Sequence, residues 1–371
     1  MRPAGLARAS AALHRGEQKY RSKPCIRAAP PRVRECVSLT PSIESPEAFG
    51  SHCATTLIHL QGTFTMNTTT SLRTRLIVSA SVLAAACGGG GGGATPAPTV
   101  TSMSTTTAVR YSDTMTVTLN GANLDAGLAV SSAGCKSMAL STTAPNVSNA
   151  TTAYYTCTVS ALGAQTVTAA RSSDGAVLQS ANFNVAVPQV TMNIVNSANP
   201  ATFTGSMLIT LAPDKAPITV DNFLRYVKDG FYPNTIIHRS SPGFVIQGGA
   251  YRLPGSTPKG TFGAIALEVN KGLSNVQGTV AMARAGGQPN SATSQFFVNL
   301  VDNSGMLDPR TPASPSDDAA GYAVFGTVTT GTSVPAAIAT SPCGIFSDIP
   351  LPAGDCTPNP LMIITSAVQT Q

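Results

Sequence analysis

Residues 237–249, Ile-His-Arg-Ser-Ser-Pro-Gly-Phe-Val-Ile-Gln-Gly-Gly, combine side chains that could do chemistry on a bound molecule. Arg239, Phe244 and Gln247 lie in a pattern that alternates as strands do on either side of a Pro-Gly turn. An arginine stays charged and offers several N–H donors in one rigid plane. Such a hairpin can present a fixed planar cation, an aromatic wall and an amide on one surface.

Two later segments accompany this hairpin. Residues 278–284 read Gly-Thr-Val-Ala-Met-Ala-Arg and are followed by Asn-Ser-Ala-Thr-Ser-Gln-Phe-Phe at 290–297, while residues 321–326 read Gly-Tyr-Ala-Val-Phe-Gly. In this order, the segments resemble the cyclophilin family of peptidyl-prolyl isomerases. The resemblance covers about residues 190–371. It implies a closed eight-stranded antiparallel barrel capped by two helices, which leaves no bare sheet edge.

The implied reaction is cis/trans isomerisation of an Xaa-Pro bond, which needs no nucleophile, cofactor or metal. Its barrier of about 18–20 kcal/mol comes from amide resonance, which is lost as the bond twists. The proline nitrogen then becomes pyramidal and regains a lone pair. A donor aimed at that nitrogen binds the twisted state more tightly than either planar state. The arginine after the histidine is the catalytic residue of the family, so we expect Arg239 to take this role.

The resemblance also implies the substrate contacts. Gln247 would hold the substrate carbonyl, and Gln295 would support Arg239 or the peptide backbone. Ala283 and Arg284 occupy the strand that pairs with substrate, Arg284 in place of an asparagine common in the family. The expected apolar pocket for the proline ring consists of Phe244, Met282, Phe297 and Leu307.

Two positions bear on the drug cyclosporin. Members that bind it strongly carry a tryptophan where this chain has Met306, and a histidine where it has Tyr322. We therefore expect weak cyclosporin binding, with Tyr322 still lining the substrate site. The expected partners are unfolded or extended polypeptides that contain proline.

Each of these residues has a simpler interpretation. Taken alone, Arg239 is more typical of a surface ion pair, Phe244 and Phe297 of a core, and His238 of a partly buried strand. Their joint occurrence favours the enzyme. The alternative is a protein that only binds proline-containing peptides, or a structural surface lipoprotein.

Charge and histidine content exclude other classes. The formal net charge of +6 comes from the front, because residues 1–65 hold nine basic and four acidic residues whereas residues 189–371 hold nine and ten. This balance argues against nucleic-acid binding by the folded part. His238 is the only histidine after residue 65, so neither a multi-histidine metal site nor a Ser-His-Asp triad is expected there. We expect no cofactor and no metal.

The first 98 residues are typical of export signals. Residues 1–65 show no periodicity and are interpreted as an unstructured, mis-assigned extension before a true start at Met66. Residues 66–87 combine a basic start, an apolar run and small residues, as signal peptides do. They end in a lipobox-like Cys87, the expected lipidation site and membrane anchor. Residues 88–98 form a Gly/Pro-rich linker. The prediction is a periplasmic protein that Cys87 anchors to the outer membrane.

The rest of the chain reads as mainly β. Residues 99–188 have strand patterns separated by Asn-Gly and Asp-Gly turns, which favour a small immunoglobulin-like β-sandwich. A disulfide between Cys135 and Cys157 is expected across that sandwich, and another between Cys343 and Cys356. In residues 189–371, one helix is expected from Pro217 to Gly230 and a second at residues 333–338.

Overall fold

The computed structural model describes residues 58–64, 76–82, 96–252, 257–310 and 317–371. Cys87, most of the predicted signal peptide and the linker up to residue 95 lie outside the described residues. The chain divides into two compact units, Met1–Gly92 and Gly93–Gln371. Within the described residues, no helix is long and apolar enough to span a membrane.

The first unit contains one described hairpin. Strand β1 (Ile58–Phe64) pairs antiparallel with β2 (Leu76–Val82). Seven of the first 65 residues are thus a strand, where the sequence predicted none. The pairing does not test the signal peptide, which stays a prediction.

The second unit begins with seven strands in two antiparallel sheets. The sheet orders are β3-β4-β7-β6 and β5-β8-β9. Val117 and Val159 of the first sheet and Val167 and Val185 of the second belong to one buried cluster. The likeness to immunoglobulin domains stays a prediction, because sheet order alone does not establish it. The strands are β3 (Thr99–Thr105), β4 (Thr114–Ala122), β5 (Leu128–Ser131), β6 (Cys135–Leu140), β7 (Thr152–Val159), β8 (Gly163–Arg171) and β9 (Val177–Val185).

The structure pairs the same cysteines that the spacing favours. The Cα atoms of Cys135 and Cys157 lie 5.6 Å apart, and those of Cys343 and Cys356 lie 5.5 Å apart. The first bond was predicted to cross between the two sheets, and this was wrong. It joins the adjacent strands β6 and β7 of one sheet. Cys135 faces Val159, two residues from Cys157, so both cysteines lie on one face of that sheet. Sequence separation alone does not distinguish a bond within a sheet from one between sheets.

The C-terminal half is the closed barrel that the sequence predicted. Eight strands follow one another in the order β12-β20-β10-β11-β17-β15-β16-β13, and pairing of β12 with β13 closes the ring. The short strand β14 extends β13, and β18 pairs with β19 alone. The strands are β10 (Gln189–Asn196), β11 (Thr204–Leu211), β12 (Thr235–Ser241), β13 (Val245–Arg252), β14 (Thr257–Pro258), β15 (Thr279–Met282), β16 (Phe296–Asn299), β17 (Val324–Thr330), β18 (Cys343–Gly344), β19 (Thr357–Pro358) and β20 (Met362–Gln369).

Two helices pack against the barrel at the predicted places. Helix α1 (Pro217–Lys228) buries the expected apolar stripe, including Val220 and Phe223. Its first turn has no side-chain cap of its own. Instead, the carboxylate of Glu268 accepts hydrogen bonds from the backbone N–H groups of Ile218 and Thr219, at 3.2 and 2.7 Å. An anion at a helix N-terminus satisfies free donors and offsets the helix dipole.

The other helices are short. Helix α3 (Val334–Ala339) begins after Ser333, as predicted, although the Ser333 side chain makes no capping hydrogen bond. Helix α2 (Ser304–Leu307) and a 3₁₀ helix (Asp317–Ala320) were not predicted. Helix α2 buries Leu307 and exposes Met306, so it aims one apolar side chain inward.

The two-sheet part contacts the barrel directly. Lys136 pairs with Asp221 of α1 at 2.8 Å, and Lys228 of the same helix pairs with Asp113 at 3.0 Å. Arg110 donates through Nη1 to the carbonyl of Gln369 at 2.9 Å. These contacts place the two-sheet part beside α1 and β20.

Candidate active site

One row of residues crosses five neighbouring strands of the barrel. Arg239 of β12 faces Gln247 of β13, and Gln247 faces Phe297 of β16. Phe297 in turn faces Ala281 of β15, which faces Val324 of β17. Facing residues of adjacent antiparallel strands lie on the same side of a sheet. Strand register therefore brings the cation, the amide and an apolar floor together from distant parts of the sequence; we call these five residues the facing row.

Arg239, Gln247 and Phe297 of the facing row line a cavity of about 550 Å³, here called the slot. Eight predicted substrate or catalytic residues line it, together with others that were not predicted. The lining residues are Arg239, Phe244, Val245, Gln247, Ala283, Arg284, Phe297, Met306, Leu307, Arg310, Tyr322, Pro350, Leu351 and Pro352. Leu307 and Tyr322 thus also lie where the sequence placed them.

The Arg239 side chain is held on two sides. Its Nε donates to Oδ2 of Asp355 at 2.7 Å, and its Nη1 donates to Oε1 of Gln247 at 3.1 Å. Gln247 in turn donates through Nε2 to Oε1 of Gln295 at 2.9 Å. Among the described residues, no hydrogen-bond partner takes the other guanidinium N–H groups. The cation is therefore fixed in its plane while it keeps donors for a ligand.

The floor of the slot is apolar and separate from the barrel core. Val245, Ala281, Phe297, Leu307 and Val324 form their own buried cluster. The ring of Phe297 meets that of Tyr322 edge-to-face, with centroids 5.6 Å apart and planes at 81°, a favourable geometry for an aromatic pair. A small apolar ring fits such a floor beside the guanidinium.

Met282 is a correction. It was predicted in the proline pocket, but its side chain is 1% exposed and belongs to the core cluster. Side chains alternate along a strand, so Ala281 and Ala283 face the slot and Met282 faces inward. Val245, which was not predicted, lines the slot where Met282 was expected to do so. Its position two residues before Gln247, on the same face of β13, was the signal that could have identified it.

Known proteins give the same assignment. Residues 195–355 match the family described as "Cyclophilin type peptidyl-prolyl cis-trans isomerase/CLD". The chain is 45% identical over 149 residues to "Peptidyl-prolyl cis-trans isomerase B" of Escherichia coli (strain K12), which covers 39% of this chain and 87% of that protein. It is 44% identical over 149 residues to "Peptidyl-prolyl cis-trans isomerase" of Acinetobacter baylyi (strain ATCC 33305 / BD413 / ADP1), covering 39% and 74%. The chain belongs to the cyclophilin family.

One solved structure is also similar to part of this chain. The crystal structure of the Cryptosporidium parvum cyclophilin type isomerase cgd2_1660 covers 50% of this chain and 98% of its own, at 24% identity and a TM-score of 0.37. The relatives from E. coli and Acinetobacter, at higher identity, establish that this chain is a cyclophilin-type peptidyl-prolyl cis-trans isomerase.

The cyclophilin slot has a wall that the sequence did not predict. Pro350, Leu351 and Pro352 line the slot from the segment between Cys343 and Cys356, and Asp355 of the same segment binds Arg239. The segment has no helical or strand periodicity, so no pattern indicated where it would lie. The Cys343–Cys356 pair was the one available signal, because it ties this segment to its own start.

Two predicted residues support the slot from its rim. Arg284 lies 4.5 Å from the ring centroid of Tyr322 and donates through Nε to the carbonyl of Gly321 at 3.0 Å. Gln295 does not line the slot; it accepts a hydrogen bond from Gln247, which in turn accepts one from Arg239, so it reaches Arg239 only through Gln247. The cyclophilin site thus has side chains that line the slot and further side chains that hold them in place.

His238 does not reach the slot. It is 3% exposed and meets the ring of Tyr251 edge-to-face, with centroids 5.0 Å apart. Burial, with a smaller contribution from the nearby positive charge of Arg239, lowers the pKa of its imidazole to about 4. It is a buried strand residue on the face of β12 opposite to Arg239. Among the described residues, no group of three or more His, Cys, Asp or Glu side chains could hold a metal ion.

Proposed function

We propose that Arg239 is the catalytic residue of this isomerase and that the slot binds the proline ring of unfolded or extended polypeptides. The observation that carries this proposal is the position of the guanidinium. Asp355 and Gln247 fix it beside the apolar floor, and it keeps N–H donors for a ligand. A ring seated on Phe297 would bring its nitrogen beside those donors.

The chemistry follows from that placement. Twisting of the Xaa-Pro bond removes amide resonance and returns a lone pair to the proline nitrogen, which the planar amide does not offer. A guanidinium N–H that donates to this lone pair stabilises the twisted state alone, which lowers the barrier. The apolar floor also favours the twisted amide, because it is less polar than the planar one. No bond forms or breaks between protein and substrate.

Arg239→Ala tests the role directly. In a protease-coupled assay on an Ala-Pro peptide, we expect kcat/KM to fall by about a hundredfold, as when a donor to a developing charge is removed. Arg252→Ala is the matched control, since it removes an exposed arginine from the far end of β13. Equal rates for Arg239→Ala and the parent would favour the alternative, a protein that binds proline-containing peptides without catalysis.

We further propose that the protein works outside the inner membrane, anchored through Cys87. The support is the sequence alone: two arginines, an apolar run and Cys87 follow Met66 in the order of a lipoprotein signal. Expression in a bacterium fed labelled palmitate should label the parent and not Cys87→Ser. A tryptic peptide from residues 1–65 in the exported protein would contradict the start at Met66. In this setting the two-sheet part would act as a spacer or as a partner-binding module.

Weak cyclosporin binding belongs to the same proposal. At the rim of the slot Met306 is 53% exposed, and a flexible thioether there offers less rigid surface than an indole. Titration of isomerase activity with cyclosporin should give weak inhibition. A sub-micromolar inhibition constant would contradict the proposal.

A further inference from the structure

Residues 343–356, here called the disulfide loop, are tied to the strand that carries Arg239. The backbone of Cys356 pairs with that of Ser240 in both directions, with N–O distances of 2.7 and 3.2 Å. One residue later, the hydroxyl of Thr357 donates to the carbonyl of His238 at 2.7 Å. The end of the disulfide loop therefore runs beside β12 on both sides of Arg239.

The disulfide loop delivers one carboxylate to Arg239. The distance from Nε of Arg239 to Oδ2 of Asp355 is 2.7 Å, and the two side chains are only 20% and 8% exposed. Asp355 itself is held because its backbone N–H donates to the carbonyl of Pro352 at 3.1 Å. A short hydrogen bond between two charged groups away from bulk water is strong and directional. This contact is built into the fold and is more than a passing surface ion pair.

We propose that Asp355 is a positioning residue for the isomerisation and that the disulfide loop is a working part of the active site. Asp355 holds the guanidinium at Nε while Gln247 holds it at Nη1, and two contacts on different nitrogens define the plane of the group. The remaining donors then point at the slot before substrate arrives. The inference rests on the proposed catalytic role of Arg239.

A purely structural role of Asp355 makes a different prediction. If the carboxylate only anchored the loop, its removal would move the wall of Pro350, Leu351 and Pro352 and weaken substrate binding, which appears in KM. If it orients Arg239, its removal loosens a group that acts in the twisted state, which appears in kcat. The split between kcat and KM therefore separates the two roles.

The test compares the full-length parent with Asp355→Ala and Asp355→Asn. For Asp355→Ala we expect kcat to fall about tenfold with KM changed less than about twofold, because orientation is lost and binding is kept. Asp355→Asn should recover most of kcat, because the amide oxygen still accepts the hydrogen bond from Nε. Asp348→Ala is the matched control, since it removes an exposed carboxylate from the same loop. An unchanged kcat in Asp355→Ala, or a change confined to KM, would overturn the proposal.

A double variant separates this inference from the proposed function. In an Arg239→Ala background, Asp355→Ala should cause no further loss, because the two side chains act as one unit. If Arg239→Ala matches the parent, the catalytic role of Arg239 fails. If Arg239→Ala is impaired and further removal of Asp355 lowers kcat by the same factor as in the parent, only the positioning role fails. Thermal unfolding of each variant checks that it is folded. Should Asp355→Ala not fold, Asp355→Leu, which has a similar shape and accepts no hydrogen bond from Nε, replaces it with the same expected loss of kcat.

Discussion

The slot has two sides that are built differently. On one side the facing row occupies five neighbouring strands. Backbone hydrogen bonds between these strands fix the backbone from which each side chain projects. On the other side the wall comes from irregular backbone, namely Leu307 of the one-turn helix α2 and the disulfide loop. The strand side is held by many backbone bonds and the loop side by a few specific ties. The ties are the Cys343–Cys356 disulfide, the bridge to Ser240 and the ion pair with Arg239.

Because the two sides are held differently, substitutions on them should affect stability and catalysis to different degrees. A change on the strand side disturbs the barrel itself, because the same strands carry the core on their other face. A change on the loop side can alter the slot and leave the barrel intact. We therefore expect substitutions of the strand side to affect both the free energy of unfolding and catalysis, and those of the loop side chiefly catalysis.

The largest effect is expected from Phe297→Ala, on the strand side. Phe297 is 4% exposed, and its loss should lower the free energy of unfolding by about 3 kcal/mol, as for other buried aromatic residues. It also removes the floor of the slot, so kcat/KM should fall in parallel. Urea unfolding and the protease-coupled assay measure the two effects.

Its neighbour Phe296 provides the control. Phe296 points into the core, where its ring contacts those of Phe223 and Tyr232. Phe296→Ala should destabilise at least as much, but the folded fraction should keep its kcat/KM. Loss of catalysis in both variants alike would mean that the two faces of β16 are not separate in function.

The second effect concerns His238, which lies beneath Arg239 on the same strand. Burial lowers its pKa to about 4, below the usual value for an exposed histidine, so the unfolded chain binds its proton first as the pH falls. The histidine therefore costs stability on acidification: between about pH 6.5 and pH 4 it should reduce the free energy of unfolding by up to about 3 kcal/mol.

Urea unfolding at several pH values measures this loss. His238→Gln keeps a polar side chain without a group that titrates in this range, and its stability should depend less on pH than that of the parent. Equal pH dependence in the two proteins would show that carboxylates, and not His238, govern the acid response.

The strand side could be predicted from sequence because its signals are local. Arg239, Phe244 and Gln247 lie in one hairpin, and the apolar stripe of Val220 and Phe223 predicted helix α1 in full. Closure of the barrel was implied by the family resemblance, and the pairing of β12 with β13 confirmed it.

Apart from Leu307, which the family resemblance implied, the loop side could not be predicted, because irregular backbone has no period that indicates its direction. Nothing in the spacing placed Asp355 against Arg239, which lies 116 residues earlier in the chain. The disulfide between Cys135 and Cys157 was predicted correctly, but its expected course between the two sheets was wrong, since sequence separation does not say which strands are neighbours. Met282 is a different case: alternation along β15 puts its side chain on the face opposite to Ala281, whereas the family resemblance implied a place in the slot.

The smallest effect is expected at Val245 and Met282, of which the structure places Val245 in the slot and Met282 in the core. Val245→Ala removes two methyl groups from the slot and should raise KM about fivefold, the equivalent of about 1 kcal/mol. Met282→Leu nearly conserves volume in the core, so stability should change by less than about 1.5 kcal/mol and KM should stay at the parent value. Steady-state kinetics with the same Ala-Pro peptide compares them. A larger change in KM for Met282→Leu than for Val245→Ala would place Met282 on the substrate side of β15 after all, and would reverse the assignment of faces on which the strand side depends.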